Sequence, residues 1–161
     1  KMNISIQQAD YHNPEDAQTI VNLLDTYACD PMGGGEPLSQ FVKDNLVVEL
    51  AKRSFALSLI AFADTKPVGL LNAFEGFSTF KAKPLINIHD IIVLSEYRGR
   101  QIGKKLLLAI EAIAREKNCC KITLEVLEGN QAAQKVYRKA GFAGYALDPE
   151  MGHALFWQKN L

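Results

Sequence analysis

Hydrophobic and polar positions along the chain switch between two periods. Ile4 to Gln7 alternates as a short strand does, whereas Ile20, Leu23, Leu24 and Tyr27 recur at the spacing of one helix face. Asn13-Pro14-Glu15-Asp16 leads into that face with a capping side chain, a proline tolerated in a first turn and two early acids. A helix is therefore predicted from Pro14 to about Tyr27. Asp30-Pro31-Met32-Gly33-Gly34-Gly35-Glu36-Pro37 cannot sustain regular structure, and beyond it Leu38, Phe41, Val42, Leu46, Val47 and Leu50 predict a second helix. The glycine loop reads as a mobile hinge or as part of a lid over a substrate. Two apolar runs, Phe55 to Ala63 and Val68 to Phe77, are split by Asp64-Thr65-Lys66-Pro67, which predicts an antiparallel hairpin. Leu85 to Leu94 is apolar on both faces, the pattern of a strand central in a sheet.

The second half repeats the alternation of strand and helix. Ile102, Leu106, Ala109, Ile110 and Ile113 share a helix face that ends near Lys117-Asn118, and Lys121 to Val126 reads as a strand. Asn130 caps a last helix carrying Ala133, Val136, Tyr137 and Ala140 on one side, and Gly141 ends it. Two weaker strands are expected at about Phe142 to Leu147 and Ala154 to Lys159. The order is β, α, α, β, β, β, α, β, α, β, β.

Charge singles out the turn between the central strand and the third helix. Helix starts favour acidic residues, because unpaired N–H groups and the macrodipole present positive partial charge there. Here Arg98, Arg100, Lys104 and Lys105 lie around the helix start, interleaved with Gly99 and Gly103. A bound polyanion resolves the conflict: backbone amides hold phosphate oxygens, the glycines allow close approach and the cations neutralise the rest. A solvated basic helix start after an ordinary turn is the alternative, and charge alone does not decide between them.

Composition narrows the field. The 161 residues, 48% apolar, fit one globular domain over residues 1–161. Eighteen basic residues balance eighteen acidic ones, so any anion affinity is local and a nucleic-acid partner is disfavoured. The first residues lack a signal-peptide hydrophobic region, and no apolar run approaches membrane-spanning length, so a soluble cytoplasmic protein is expected. Cys29, Cys119 and Cys120 make no disulfide framework and, with His12, His89 and His153, no zinc spacing, so no metal is expected. Cys119 and Cys120 read as small core or helix-end residues.

Ile91-Ile92-Val93-Leu94-Ser95-Glu96-Tyr97-Arg98-Gly99-Arg100-Gln101-Ile102-Gly103-Lys104-Lys105 and the later Leu124-Glu125-Val126-Leu127-Glu128-Gly129-Asn130 segment, running on through Tyr137 to Phe142, carry a resemblance. Together with the element order, they resemble the GCN5-related N-acetyltransferase (GNAT) superfamily. The family's coenzyme A turn, (Arg or Gln)-x-x-Gly-x-(Gly or Ala), is matched by Arg98 to Gly103, except that Gln101 stands where glycine is usual. A non-glycine there keeps its N–H on offer if it is already helical, with weaker or slightly shifted pyrophosphate contacts and the site retained. The resemblance implies an α/β (α+β) fold, with a mixed, mostly antiparallel sheet of about six to seven strands, about four flanking helices and a splay between the fourth and fifth strands.

The resemblance also implies the activity: direct transfer of an acetyl group from acetyl-CoA to a primary amine, with no metal. It places the pantetheine arm along the backbone of Ile91, Ile92 and Val93. Amides from Arg100 through Gln101, Ile102 and Gly103 to Lys104 would hold the pyrophosphate, with Arg98 and Gly99 in the same coenzyme-binding turn, and Asn130, Ala133 and Tyr137 would touch the coenzyme across the gap. An extended arm needs a strand edge that is not already paired, so the splay and the ligand imply one another. Asn130 read alone is a helix cap, and both roles are compatible.

Direct attack requires an uncharged amine, an oxyanion donor and a proton for the departing thiolate. Tyr137 stands where the family has its general acid, and its ordinary pKa of about 10 suits a thiol leaving group; the bland alternative is a core aromatic. The strand Ile91 to Val93 would supply the oxyanion N–H. His89 and Asp90 are alternative bases, and period-two geometry sends them to opposite faces, so only one is expected in the site. Structural roles for both, with solvent as base, remain open. Glu75, Phe77 and Phe80, with Phe74 and the loop from Asp30 to Glu36, suggest an acceptor pocket for a small cationic amine. A solvated strand-end carboxylate is the plainer reading of Glu75.

Three rivals remain to be weighed. A nucleotide-phosphate enzyme lacks its longer glycine motifs here. A non-catalytic module that senses acetyl-CoA shares every binding residue. A nucleic-acid helix using Arg98, Arg100, Lys104 and Lys105 is opposed by zero net charge. Relatives are often dimers, so a homodimer is one state the resemblance allows.

Overall fold

The computed structural model describes residues 1–146 and 148–161. Strands β1 (Ile4–Gln8), β2 (Ala56–Ala63), β3 (Lys66–Ser78), β4 (Lys83–Val93) and β5 (Ile122–Leu124) form one sheet in that order. Helices α1 (Pro14–Cys29), α2 (Gln40–Ala51), α3 (Ile102–Glu116) and α4 (Gln131–Lys139) complete the elements. Local chemistry sets several boundaries. Asn13 Oδ1 accepts from the amides of Glu15 and Asp16 to start α1, and Ser39 Oγ accepts from Val42 to start α2.

Each face of the sheet is buried against different helices. Leu57, Leu59, Ala61, Leu71, Ile86 and Ile88 meet Ile102, Leu106 and Ile110 of α3. On the opposite face Ile60, Leu70 and Ile92 meet Ile20, Leu23 and Val47 of α1 and α2. This double burial explains why β2 to β4 read as continuous apolar runs.

Two irregularities of β4 position everything that follows. It pairs antiparallel with β3 along its length, but parallel with β5 only from Ile86 to Ile88. Beyond Ile88 the strands part, so the expected splay between the fourth and fifth strands is present. Leu94 N–H donates to the carbonyl of Val68 on β3. Strand alternation then turns the main-chain groups of Ile92 towards β3 and those of Ile91 and Val93 towards the gap.

The second irregularity is a β-bulge. Asn72 lies opposite Asp90 and Ala73 opposite Ile88, so His89 is the extra residue of β4. Before it, Ile86 and Ile88 face α3; after it, Ile91 and Val93 pack on that side while Ile92 joins the α1 and α2 core. His89 and Asp90 therefore share the α1 and α2 face, which corrects the expectation of opposite faces. Simple period-two counting fails because the bulge inserts one residue into one strand only.

Among the described residues five strands form the sheet in place of the expected six to seven. Residues 142–146 and 154–159 run near each other, with Ala154 N–H donating to Tyr145 at 3.1 Å, but make no ladder among the described residues. Leu147, the end of the first predicted strand, lies outside the described residues. Strand-like sequence needs a neighbouring ladder to extend, and β5 supplies only three residues. The glycine loop also differs from a free hinge. Asp30 Oδ1 accepts from Met32 N–H at 2.9 Å, and the Tyr27 hydroxyl donates to the Met32 carbonyl at 3.3 Å. A Cβ on Gly33 would fall 2.0 Å from the Tyr27 carbonyl oxygen, so the backbone passes too close for a side chain.

The turn into α3 holds its non-glycine under strain. Gln101 is the N-cap at φ 63 and ψ 22, left-handed rather than already in the helix, and no side chain caps the amides after it. That conformation costs a residue with a Cβ about 1–2 kcal/mol. Gln101→Gly relieves it while giving back about 0.5–1 kcal/mol of unfolded-chain entropy. The variant is expected to gain roughly 0.5–1 kcal/mol in urea unfolding, and a lower midpoint than the parent would refute the strain.

Candidate active site

The splay opens a cleft of about 1030 Å³ between β4, β5, α3 and α4. One wall is the free edge of β4 at Ile91, Ile92 and Val93. Its end is the turn, where Arg98, Gly99, Gln101, Ile102, Gly103 and Lys104 border the space. The amides of Ile102, Gly103 and Lys104 are first-turn donors without helical partners, whereas Lys105 N–H already donates to the Gln101 carbonyl at 3.0 Å. A Cβ on Gly103 would meet nothing within 4 Å, so that residue leaves open space at the helix start. Such a terminus favours an anion.

Arg100 does not border the cleft. Its guanidinium lies over the Tyr97 ring at 5.6 Å, and Lys66 approaches the same ring at 5.3 Å. Arg100 also donates to Met2 Sδ at 3.9 Å. The sequence places it beside the other cations, but packing turns its side chain onto an aromatic face.

Helix α4 supplies the far wall through Asn130, Ala133 and Tyr137. Asn130 Oδ1 accepts from Ala133 N–H at 3.2 Å, which leaves its amide donors for other partners. Gln134 Nε2 donates to the carbonyls of Leu127 and Glu128, pinning the loop before the helix. Tyr137 both packs against the α3 core and faces the cleft, with its ring 6.0 Å from that of Phe142. Burial, and secondarily the nearby Tyr27 hydroxyl, push its phenol up to about 12. The reading that it keeps an ordinary value is thereby corrected: this group stays protonated across all neutral conditions.

The α1 side of the cleft carries residues that helical spacing could not distinguish from core. Tyr27, with Asp30 and Met32 after it, borders the opening. Burial raises the Tyr27 phenol, and the negative charges of Asp90 and then Asp30 raise it further. Tyr27 and Asp30 thus border the cleft on this side, while Asp90 and His89 lie outside its lining and the Asp90 charge reaches the Tyr27 phenol from there. Tyr27 sits at the same interval as Ile20, Leu23 and Leu24, so only its position against the glycine loop hints at a different role.

Asp90 Oδ2 lies 3.6 Å from His89 Nδ1 and accepts from Asn72 Nδ2 at 3.1 Å. His89 is mostly exposed, with its ring edge-on to Phe74 at 5.5 Å, and Phe74 leans on Phe55. Glu75, Phe77 and Phe80 do not border the cleft. Glu75 lies opposite Ile86 and Leu71 opposite Ile91, so four steps of strand rise on β3 put Glu75 roughly 13 Å along the sheet from Ile91. Lys117 pairs with Glu75 at 3.7 Å, and Phe77 and Phe80 are exposed to solvent. Cys119 and Cys120 border the cleft rather than only closing a helix, and burial, ahead of the Glu75 charge, pushes the Cys119 thiol up. Among the described residues no helix is long and apolar enough to cross a membrane.

Comparison with known proteins places this geometry. The model of the Acetyltransferase (GNAT) family matches residues 21–142. The thialysine N-epsilon-acetyltransferase of Bos taurus is 37% identical over 68 residues, 42% of this chain, which spans about two fifths (39%) of that enzyme. Aminoglycoside N(6')-acetyltransferase type 1 of Salmonella typhimurium is 26% identical over 115 residues, 70% of this chain and 75% of that one. An aminoglycoside N-acetyltransferase solved in complex with CoA superposes with a TM-score of 0.75 at 19% identity, covering 100% of this chain and 97% of that one. An aminoglycoside acetyltransferase from an uncultured soil metagenomic sample, solved with sisomicin, gives 0.79 at 17%, covering 98% and 96%. At such identities the likeness to the solved structures is one of fold. With the family model spanning most of its length, the chain belongs to the GNAT family of acetyltransferases.

Proposed function

We propose that this protein is an acetyl-CoA-dependent N-acetyltransferase acting on a primary amine of a small cationic acceptor. The single observation that carries the reading is the free edge of β4 running directly into the uncapped start of α3. An extended arm bearing amides fits the first and a pyrophosphate fits the second. The open space at Gly103 allows close approach there. Two relatives bear the names of enzymes acting on thialysine and on aminoglycosides, which supports an amine acceptor.

In this mechanism Ile91 and Val93 bind the pantetheine arm through their main-chain groups, and the amides from Ile102 to Lys104 hold the pyrophosphate. Arg98 and Lys104 neutralise it, and Asn130 donates from the opposite wall. Acetyl-CoA supplies the acetyl thioester. The acceptor enters by the mouth that Tyr27 and Asp30 border, where the charges of Asp30 and Asp90 draw its ammonium group. Asp90, with His89 beside it, takes the proton that frees the amine. As the nitrogen–carbon bond forms and the carbon–sulfur bond breaks, the N–H of Ile91 or Val93, which faces the gap, stabilises the oxyanion and Tyr137 donates its proton to the thiolate. A phenol raised to about 12 is a reluctant acid, so its transfer is completed only as negative charge grows on sulfur.

Gly103→Ala is expected to fold as well as the parent or better, since the new methyl group meets no protein atom, yet to bind CoA at least tenfold more weakly. Isothermal titration with CoA and thermal unfolding check both halves. Tyr137→Phe is expected to lower kcat about 100-fold or more with the dissociation constant for CoA nearly unchanged. Absence of turnover by the parent on every amine tested, with CoA still bound, would instead identify a sensor. Tyr137 is neutral when protonated and its native value lies above the unfolded one, so its stabilising contribution is complete below about pH 10 and is lost as pH rises towards 12. Urea midpoints should accordingly fall more steeply above about pH 10 in the parent than in Tyr137→Phe.

A further inference from the structure

Beneath the acceptor mouth runs a line of polar side chains that the acetyl-transfer chemistry does not use. The Tyr11 hydroxyl meets Ser58 Oγ at 2.8 Å, Ser58 Oγ donates to Asn72 Oδ1 at 2.6 Å, and Asn72 Nδ2 donates to Asp90 Oδ2 at 3.1 Å. Ser58 is 0% and Asn72 4% exposed, and they are the buried polar residues in an otherwise apolar sheet. Two polar side chains among Ile60, Leu70 and Ile92 are costly unless fully bonded, and among the described residues neither is left without a partner.

The line has a direction. Ser58 owns one hydroxyl proton and gives it to Asn72, so Tyr11 must be the donor in the remaining contact. Every proton therefore points towards Asp90. Reversing the Asn72 amide would set its carbonyl oxygen 3.1 Å from a carboxylate oxygen with no proton between them. The bulge completes the device: His89 is looped out of register, and this alone brings Asp90 opposite Asn72.

We propose that Asn72, itself set by Ser58 and Tyr11, is a positioning residue that donates to Asp90 Oδ2 and so aims the carboxylate at the acceptor amine. The inference rests on the proposed role of Asp90 at the mouth of the cleft. The other titratable groups near Asp90 are His89 on the same strand and Tyr27 from the α1 side, which Asp30 also influences. None of them is altered by changes at Asn72, Ser58 or Tyr11.

Asn72→Leu removes the last donor at nearly constant volume, and Ser58→Ala frees the amide to turn. The acid limb of the pH profile of kcat/KM for an amine acceptor is expected to move to higher pH in Asn72→Leu and by less in Ser58→Ala. At fixed pH, kcat/KM should fall about tenfold while CoA binds as before. Tyr11→Phe should shift the limb least, in the same direction. Titration of the Asp90 carboxyl carbon by NMR in the free protein gives the same comparison without turnover, so it distinguishes failure of this inference from failure of the catalytic reading. Asn72→Gln, which restores a donor, should recover part of the shift. If Asn72→Leu does not fold, Ser58→Ala decides. An unshifted carboxyl titration in the folded variants overturns the proposal, as does a loss of kcat/KM with an unmoved acid limb.

Discussion

The central constraint in this molecule is that β4 is paired along one edge and only briefly along the other. Antiparallel bonding to β3 runs from Lys83 to Val93, while β5 follows it for three residues before the strands part. Unpaired main-chain groups inside a fold are costly, so the edge at Ile91 and Val93 must find bonds elsewhere. The proposed ligand arm would supply them, and the free amides of α3 stand at the end of that edge. The same gap shortens β5 and so limits the sheet to five strands.

The bulge at His89 divides labour between the two faces of the sheet. Towards α3, the strand presents an apolar wall and the main-chain edge of the cleft. Towards α1, the inserted residue brings Asp90 next to Asn72 and beside Tyr27 and Asp30. A regular strand would have put His89 opposite Asn72 and separated these groups. One extra residue thus joins a buried hydrogen-bond line to the mouth of the cleft. The cost is a local loss of ladder bonds, and the displaced imidazole meets the Phe74 ring edge-on.

Charge is local throughout. The chain carries no net charge, yet the turn at Arg98 to Lys104 is cationic while the carboxylates of Asp30 and Asp90 both act on Tyr27 at the other side of the cleft. The polarity suits a two-substrate reaction in which an anion and a cation approach from different sides. Tyr137 stands between the two regions, and the burial that positions its ring also raises its phenol to about 12. Position and acidity are therefore in tension at this residue.

Local pattern alone determined the helices, the hairpin of β2 and β3, the central place of β4 and the residues of the glycine turn. Each depends on interactions within a few positions: the Asn13 cap, the doubly apolar runs, the interleaved Gly99 and Gly103. The family resemblance of the segment from Ile91 to Phe142 rests on the same short-range spacing. What lay beyond sequence was everything fixed by partners distant along the chain. The approach of Arg100 to Met2, the pairing of Glu75 with Lys117 and the absence of a last hairpin among the described residues are of this kind. So are the bulge, which periodicity cannot reveal because it is a mismatch between two strands, and Tyr27, whose helical spacing is that of any core residue. Periodicity tells which side chains share a face; only tertiary packing decides what that face meets.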